Sequence, residues 1–181
     1  MLKLVIADDS AHTLKNWSNV FSEIDTIYTL ESNIPTCMSL PNIDAVLMMG
    51  MFAHQRYGGQ PKMGESQVLP TQGASGMPKF VVTTPPFPAH LKNQNSAGQK
   101  EIISAPNERI STDEETYILF TKVFECINQF NKLYRETPLQ TLAIHLSFLN
   151  FSQNQTDVEA KAALRAYREI YPISAPLKNS R

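Results

Sequence analysis

An α/β domain with a mixed sheet covered by helices on both faces is the architecture this sequence predicts. Three observations point there. Short, almost wholly apolar runs recur along the chain, as in strands buried on both sides. Segments with helical spacing separate them. The first strand, helix and second strand fit within about 30 residues, the size of a βαβ unit with a right-handed crossover.

The first strand spans residues 2–7 (LKLVIA). Asp8, Asp9 and Ser10 close it and cap a helix over residues 11–23, with Leu14, Trp17, Val20 and Phe21 on one face. Residues 26–30 (TIYTL) make the second strand, which Asn33, Ile34 and Pro35 break. Residues 43–49 (IDAVLMM) form a central strand, apolar except for Asp44, and a loop between Gly50 and Gly59 follows. The tract 60–78 is rich in turn residues, with a short strand at Val68 and Leu69. Residues 79–84 (KFVVTT) are another buried strand, and residues 101–104 a candidate edge strand competing for the place before the next helix. That helix starts at Ser111, Thr112 and Asp113, carries acids in its first turn, and keeps Tyr117, Phe120, Val123, Phe124, Ile127, Phe130 and Tyr134 in helical register to about Arg135. A strand over 141–146, a loop over 148–155 and a helix from Thr156 and Asp157 to Ile170 complete a single domain over residues 1–172, leaving 173–181 as a tail.

Composition narrows the function classes. With 181 residues, 42% hydrophobic and 18% charged, the chain has enough material for a substantial core. A net charge of −1 gives no long-range attraction to nucleic acid or anionic lipid. Cys37 and Cys126 lie far apart in no metal-like spacing, no apolar run is long enough to span a membrane, and Met1 leads straight into a strand. A soluble, cytoplasmic protein with no metal and no cofactor is the expectation.

The chemistry-bearing residues are few. His54 and His145 have no partner at ligand or triad spacing, which favours hydrogen-bonded structural roles. Asp8 and Asp9 at a strand end invite comparison with phosphoacceptor receiver domains. The end of the third strand, Met48, Met49, Gly50 and Met51, offers no carboxylate to complete such a site.

The order of elements resembles that of macro domains, the ADP-ribose-binding fold, in the subgroup that opens with a βαβ unit. Glu31-Ser32-Asn33-Ile34 stands where that subgroup has a turn like Gly-Asp-Ile, and Asp44-Ala45-Val46-Leu47 where it has Asp-Ala-Ile-Val. Gly58-Gly59 corresponds to its glycine pair, and Ala105-Pro106-Asn107-Glu108-Arg109 resembles its Ala-Pro-Thr-Met-Arg. The resemblance implies a cleft lined by Asn33, Ile34, Gly50, Met51, Arg56, Gly58, Gly59, Ser147, Phe148 and Asn150, and a ligand such as ADP-ribose or a related nucleotide.

Departures from the pattern are specific. Met51 occupies the place of the ribose-orienting asparagine, so no hydrolysis of ADP-ribosyl linkages and no catalytic residues are expected. The second phosphate loop, residues 145–152, contains no glycine. Losing two or three backbone donors to a pyrophosphate costs about 3–6 kcal/mol, which predicts a dissociation constant above about 100 μM. The competing class is a non-catalytic interaction protein with a hydrophobic cleft at Phe148, Leu149 and Phe151.

Overall fold

A computed structural model of the chain describes residues 1–86, 113–149 and 157–172. The candidate strand at 101–104, the Ala105–Arg109 resemblance, Asn150, Phe151, Ser152 and the tail lie outside the described residues. Among those described, six strands form one sheet: β1 (Lys3–Asp8), β2 (Ile27–Glu31), β3 (Ala45–Met48), β4 (Val68–Pro70), β5 (Phe80–Thr83) and β6 (Thr141–His145). Their order is β2-β1-β6-β3-β5-β4. All neighbours are parallel except β4, which runs antiparallel to β5.

Alternation along each strand sorts the core into two layers. Leu4 and Ile6 of β1, Ala45 and Leu47 of β3, Val82 of β5, and Leu142 and Ile144 of β6 share one hydrophobic cluster. It includes Leu14 and Trp17 of α1 (Ala11–Val20), Phe120 and Phe124 of α4 (Asp113–Leu133), and Tyr167 of α5 (Val158–Ile170). Ala7, Val46, Met48, Val81 and Ala143 face the other way, against Cys37 of α2 (Ile34–Met38) and Ala53 of α3 (Gly50–Tyr57). The sheet therefore has helices on both faces.

β3 is interior and buried at all four positions, as its apolar run requires. Asp44, the polar residue just before it, has a structural task. Its Oδ2 accepts from the backbone N–H of Gln140 at 2.7 Å and of Thr141 at 3.0 Å, fixing where β6 begins. Tyr167 ties the far helix to the same sheet, its hydroxyl donating to Leu2 O at 2.7 Å.

Several local expectations are corrected. The stretch after β3 is a helix instead of a loop, because the seven residues from Met51 to Tyr57, with no proline or glycine among them, follow Gly50 in helix-compatible order. Asn33 does not merely break β2. Its Oδ1 accepts from Thr36 N at 2.8 Å and caps α2, with proline in the first turn where its missing N–H costs nothing. The cap of α1 is Ser10, whose Oγ accepts from Thr13 N, and the helix ends at Val20. Residues 146–149, placed partly in strand and partly in loop, form a 3-10 turn. Asp157 starts α5 without a side-chain cap and pairs with Lys161 at 2.8 Å instead.

Candidate functional site at the carboxyl edge of the sheet

The parallel strands β1, β2, β3, β5 and β6 all end on one edge, where ligands of open α/β sheets bind. The residues gathered there are Asp8, Asp9, Ser10, Ser32, Asn33, Gly50, Thr84, His145 and Ser147.

At its centre lies a closed hydrogen-bond circuit. Asp8, 6% exposed, accepts through Oδ2 from Ser10 N at 3.0 Å and through Oδ1 from Ser147 Oγ at 3.1 Å. The backbone N–H of Ser147 points to His145 Nδ1 at 3.2 Å, and His145 Nε2 lies 2.8 Å from Ser32 O. The Ser32 N–H donates to Asp8 O at 3.0 Å, completing the loop. A carbonyl can only accept and an amide N–H can only donate, so the partners assign the proton to Nε2 and the lone pair to Nδ1. The ring is thus neutral in this arrangement, although the carboxylates of Asp8 and Asp9 stand 4.0 and 3.7 Å from it.

This circuit is not a hydrolytic triad. A nucleophile needs a base on its hydroxyl, and the base needs a free nitrogen for it. Ser147 Oγ is bonded to Asp8, while both nitrogens of His145 are engaged with backbone. His145 is 2% exposed, leaving no room for a substrate to reach the ring. His54 is likewise structural, its Nδ1 donating to Gly58 O at 3.0 Å.

Gly50 sits where β3 passes into α3. Its N–H donates to Thr84 Oγ1 at 3.0 Å, and Thr84 N donates to Met48 O at 2.9 Å. A Cβ at Gly50 would stand 2.4 Å from the Thr84 carbonyl oxygen. This close approach, rather than room for a phosphate, explains the glycine. The α3 amino end opens on the same edge. The N–H groups of Met51 and Phe52 have no acceptor within the helix, and both side chains are about half exposed, at 52% and 47%.

The structure divides the residues expected to line one cleft. Asn33, Ile34, Gly50, Met51, Ser147 and Phe148 gather near the carboxyl edge, with Phe148 half-buried and its ring edge-on to His145. Arg56, Gly58 and Gly59 lie at the opposite end of α3, roughly 10 Å along its axis. Their neighbours are helix carbonyls, the negative end of the dipole. Gly58 (φ 87°) and Gly59 (φ 75°) end the helix in the left-handed region, and a side chain on Gly59 would press His54 and Leu69 at 3.3 Å. Asn33 has already given its carbonyl oxygen to the α2 cap.

Sequence reasoning missed Asp8, Ser32, Thr84 and Phe52 as members of this edge. Asp8 at a strand end was the available signal; the other three become neighbours only through the strand order. Among the described residues, no group of three or more His, Cys, Asp or Glu is placed to hold a metal ion. Nor is any helix there long and apolar enough to cross a membrane. No protein-family model matches the chain, and no curated protein matches it in sequence.

Proposed function

We propose that this chain is a non-catalytic binding domain of macro-domain-like architecture in which the ADP-ribose site has become weak or lost. One observation carries the reading: the stretch after Gly50, which the resemblance assigns to a ligand-binding loop, is a helix over Gly50–Tyr57. A loop offers several converging N–H donors, whereas a helix consumes its own and leaves only those of its first turn. Here Met51 and Phe52 supply them, and their own exposed side chains flank those N–H groups. Asp8 and Asp9 on the same edge disfavour an anion further. Unpaired Cys37 and Cys126 accord with a reducing, cytoplasmic setting.

Calorimetric titration with ADP-ribose tests the reading. The expected dissociation constant is above about 100 μM, worth less than roughly 5.5 kcal/mol. Any binding detected should weaken when Met51→Asp places a carboxylate at the α3 amino end. Low-micromolar binding, or release of ADP-ribose from a modified protein substrate, refutes the proposal. A protein-binding role for the same edge is favoured by the exposure of Met51 and Phe52 side by side.

A further inference from the structure

The geometry points to β2 as a self-pairing edge, through which two copies of this chain join their sheets about a two-fold axis. This inference is independent of the nucleotide reading. β2 ends the strand order and pairs with β1 alone among the described strands. The phase of its free side follows from its bonded side. Leu4 N donates to Thr26 O, and Ser32 N donates to Asp8 O. Even-numbered residues of β2 therefore turn their backbone groups toward β1, and Ile27, Thr29 and Glu31 turn theirs outward.

Edge strands that must stay single carry charged side chains, lysine above all, or proline, a bulge or a cover, and here the charges, Asp25 and Glu31, stand only at the two ends of the stretch. Residues 25–31, DTIYTLE, contain neither lysine nor proline, and Tyr28, Thr29, Leu30 and Glu31 are all exposed. Tyr28 is 57% and Leu30 36% exposed, and by strand alternation they share one face.

An antiparallel pairing centred on Thr29 uses every one of these features. Thr29 opposes Thr29 of the second copy, and Ile27 opposes its Glu31. All are outward-facing positions, but the Ile27 N–H already donates to Ile24 O, so the Thr29 pair exchanges two hydrogen bonds and each Ile27–Glu31 pair one, about four in all. Tyr28 then falls opposite Leu30 of the second copy in the non-bonded positions, where side chains approach most closely. Five residues of strand cover less surface than a permanent interface does, so the dimer is a concentration-dependent one.

Sedimentation equilibrium on the full chain over about 10 to 500 μM tests this, with mass rising from monomer toward dimer. Thr29→Pro removes only an outward N–H and leaves the β1 ladder intact. Leu30→Lys places a charge on the contact. Each should raise the association midpoint at least about tenfold while the protein keeps its circular dichroism. Register is read separately: Thr29→Cys should cross-link to itself on oxidation, since opposed bonded Cα atoms about 5.5 Å apart suit a disulfide. Tyr28→Cys should not. A monomer throughout, association unaffected by both edge variants, or cross-linking through position 28 instead of 29 would each overturn the inference.

Discussion

Gly50→Ala separates a packing glycine from a ligand-binding one. The added methyl would lie 2.4 Å from the carbonyl oxygen of Thr84. Ordinary carbon contacts need about 3.5 Å, so roughly 1 Å of movement is required. Neither side yields easily. Gly50 N is bonded to Thr84 Oγ1, and Thr84 N to Met48 O, so the crowded backbone belongs to the β3–β5 pairing itself. Overpacking of this kind costs about 1–3 kcal/mol, and displacing the Gly50–Thr84 bond adds about 1 kcal/mol. Against this, alanine in a helix and a stiffer unfolded chain return at most about 1 kcal/mol. The net expectation is a loss of about 1–3 kcal/mol, or about 3–9 °C in melting temperature for a domain of this size. Urea unfolding at unchanged slope measures it directly. Gly58→Ala is the control, since nothing lies within 4 Å of its Cβ and only the left-handed conformation is strained. A Gly50→Ala protein as stable as the parent would refute the account, and would return Gly50 to the list of residues kept for a ligand.

Two further outcomes follow from buried groups. Asp44→Ala should cost about 2–4 kcal/mol in urea unfolding, because it strips the acceptor from the N–H groups of Gln140 and Thr141 at the entry to β6; a loss under about 0.5 kcal/mol would show that water replaces it. Burial pushes the Cys37 thiol up to about 11, and burial with the nearby Glu65 charge does the same for Cys126. At pH 8 each thiolate is populated to about one part in a thousand, so iodoacetamide should label the native protein slowly, at a rate rising about tenfold per pH unit, and fast after unfolding. Rapid labelling of the native protein would contradict the core packing of Cys37.

Much of the fold was legible because burial on both sheet faces forces continuous apolar runs. Residues 79–84 and 141–146 read as strands for that reason, and the α4 stripe from Tyr117 to Phe130 needed only its spacing. α3 was hidden because its sequence, GMFAHQRY, has no cap and no wide apolar stripe, and Gly50 with Gly58 imitated the ends of a loop. α2 was hidden by Pro35, which breaks a strand and starts a helix equally well. The candidate edge was legible residue by residue but not as an assembly. Asp8 and His145 are 137 positions apart, and only β6 pairing beside β1 brings them within 4.0 Å.

That assembly bears on what the edge can do. Forming the circuit of Asp8, Ser10, Ser32, His145 and Ser147 fixes the exits of β1, β2 and β6 together, because each strand end contributes a donor or acceptor to the next. A buried carboxylate with two protein donors and a neutral imidazole with both nitrogens bonded have little left to offer a ligand without breaking bonds already made. The groups at this edge that remain outside the circuit are the first-turn N–H groups of α3, the side chains of Met51 and Phe52, and the rim of Phe148. Such a surface favours shape and apolar contact over charge, and any ligand it takes must approach α3 rather than the strand ends. In the same way, β2 is held rigidly on its inner side by β1 and the Ser32 exit, which leaves its outer side a straight and ordered template. A strand already fixed in this way loses little further conformational entropy on pairing, so even five residues can hold a second copy at high protein concentration.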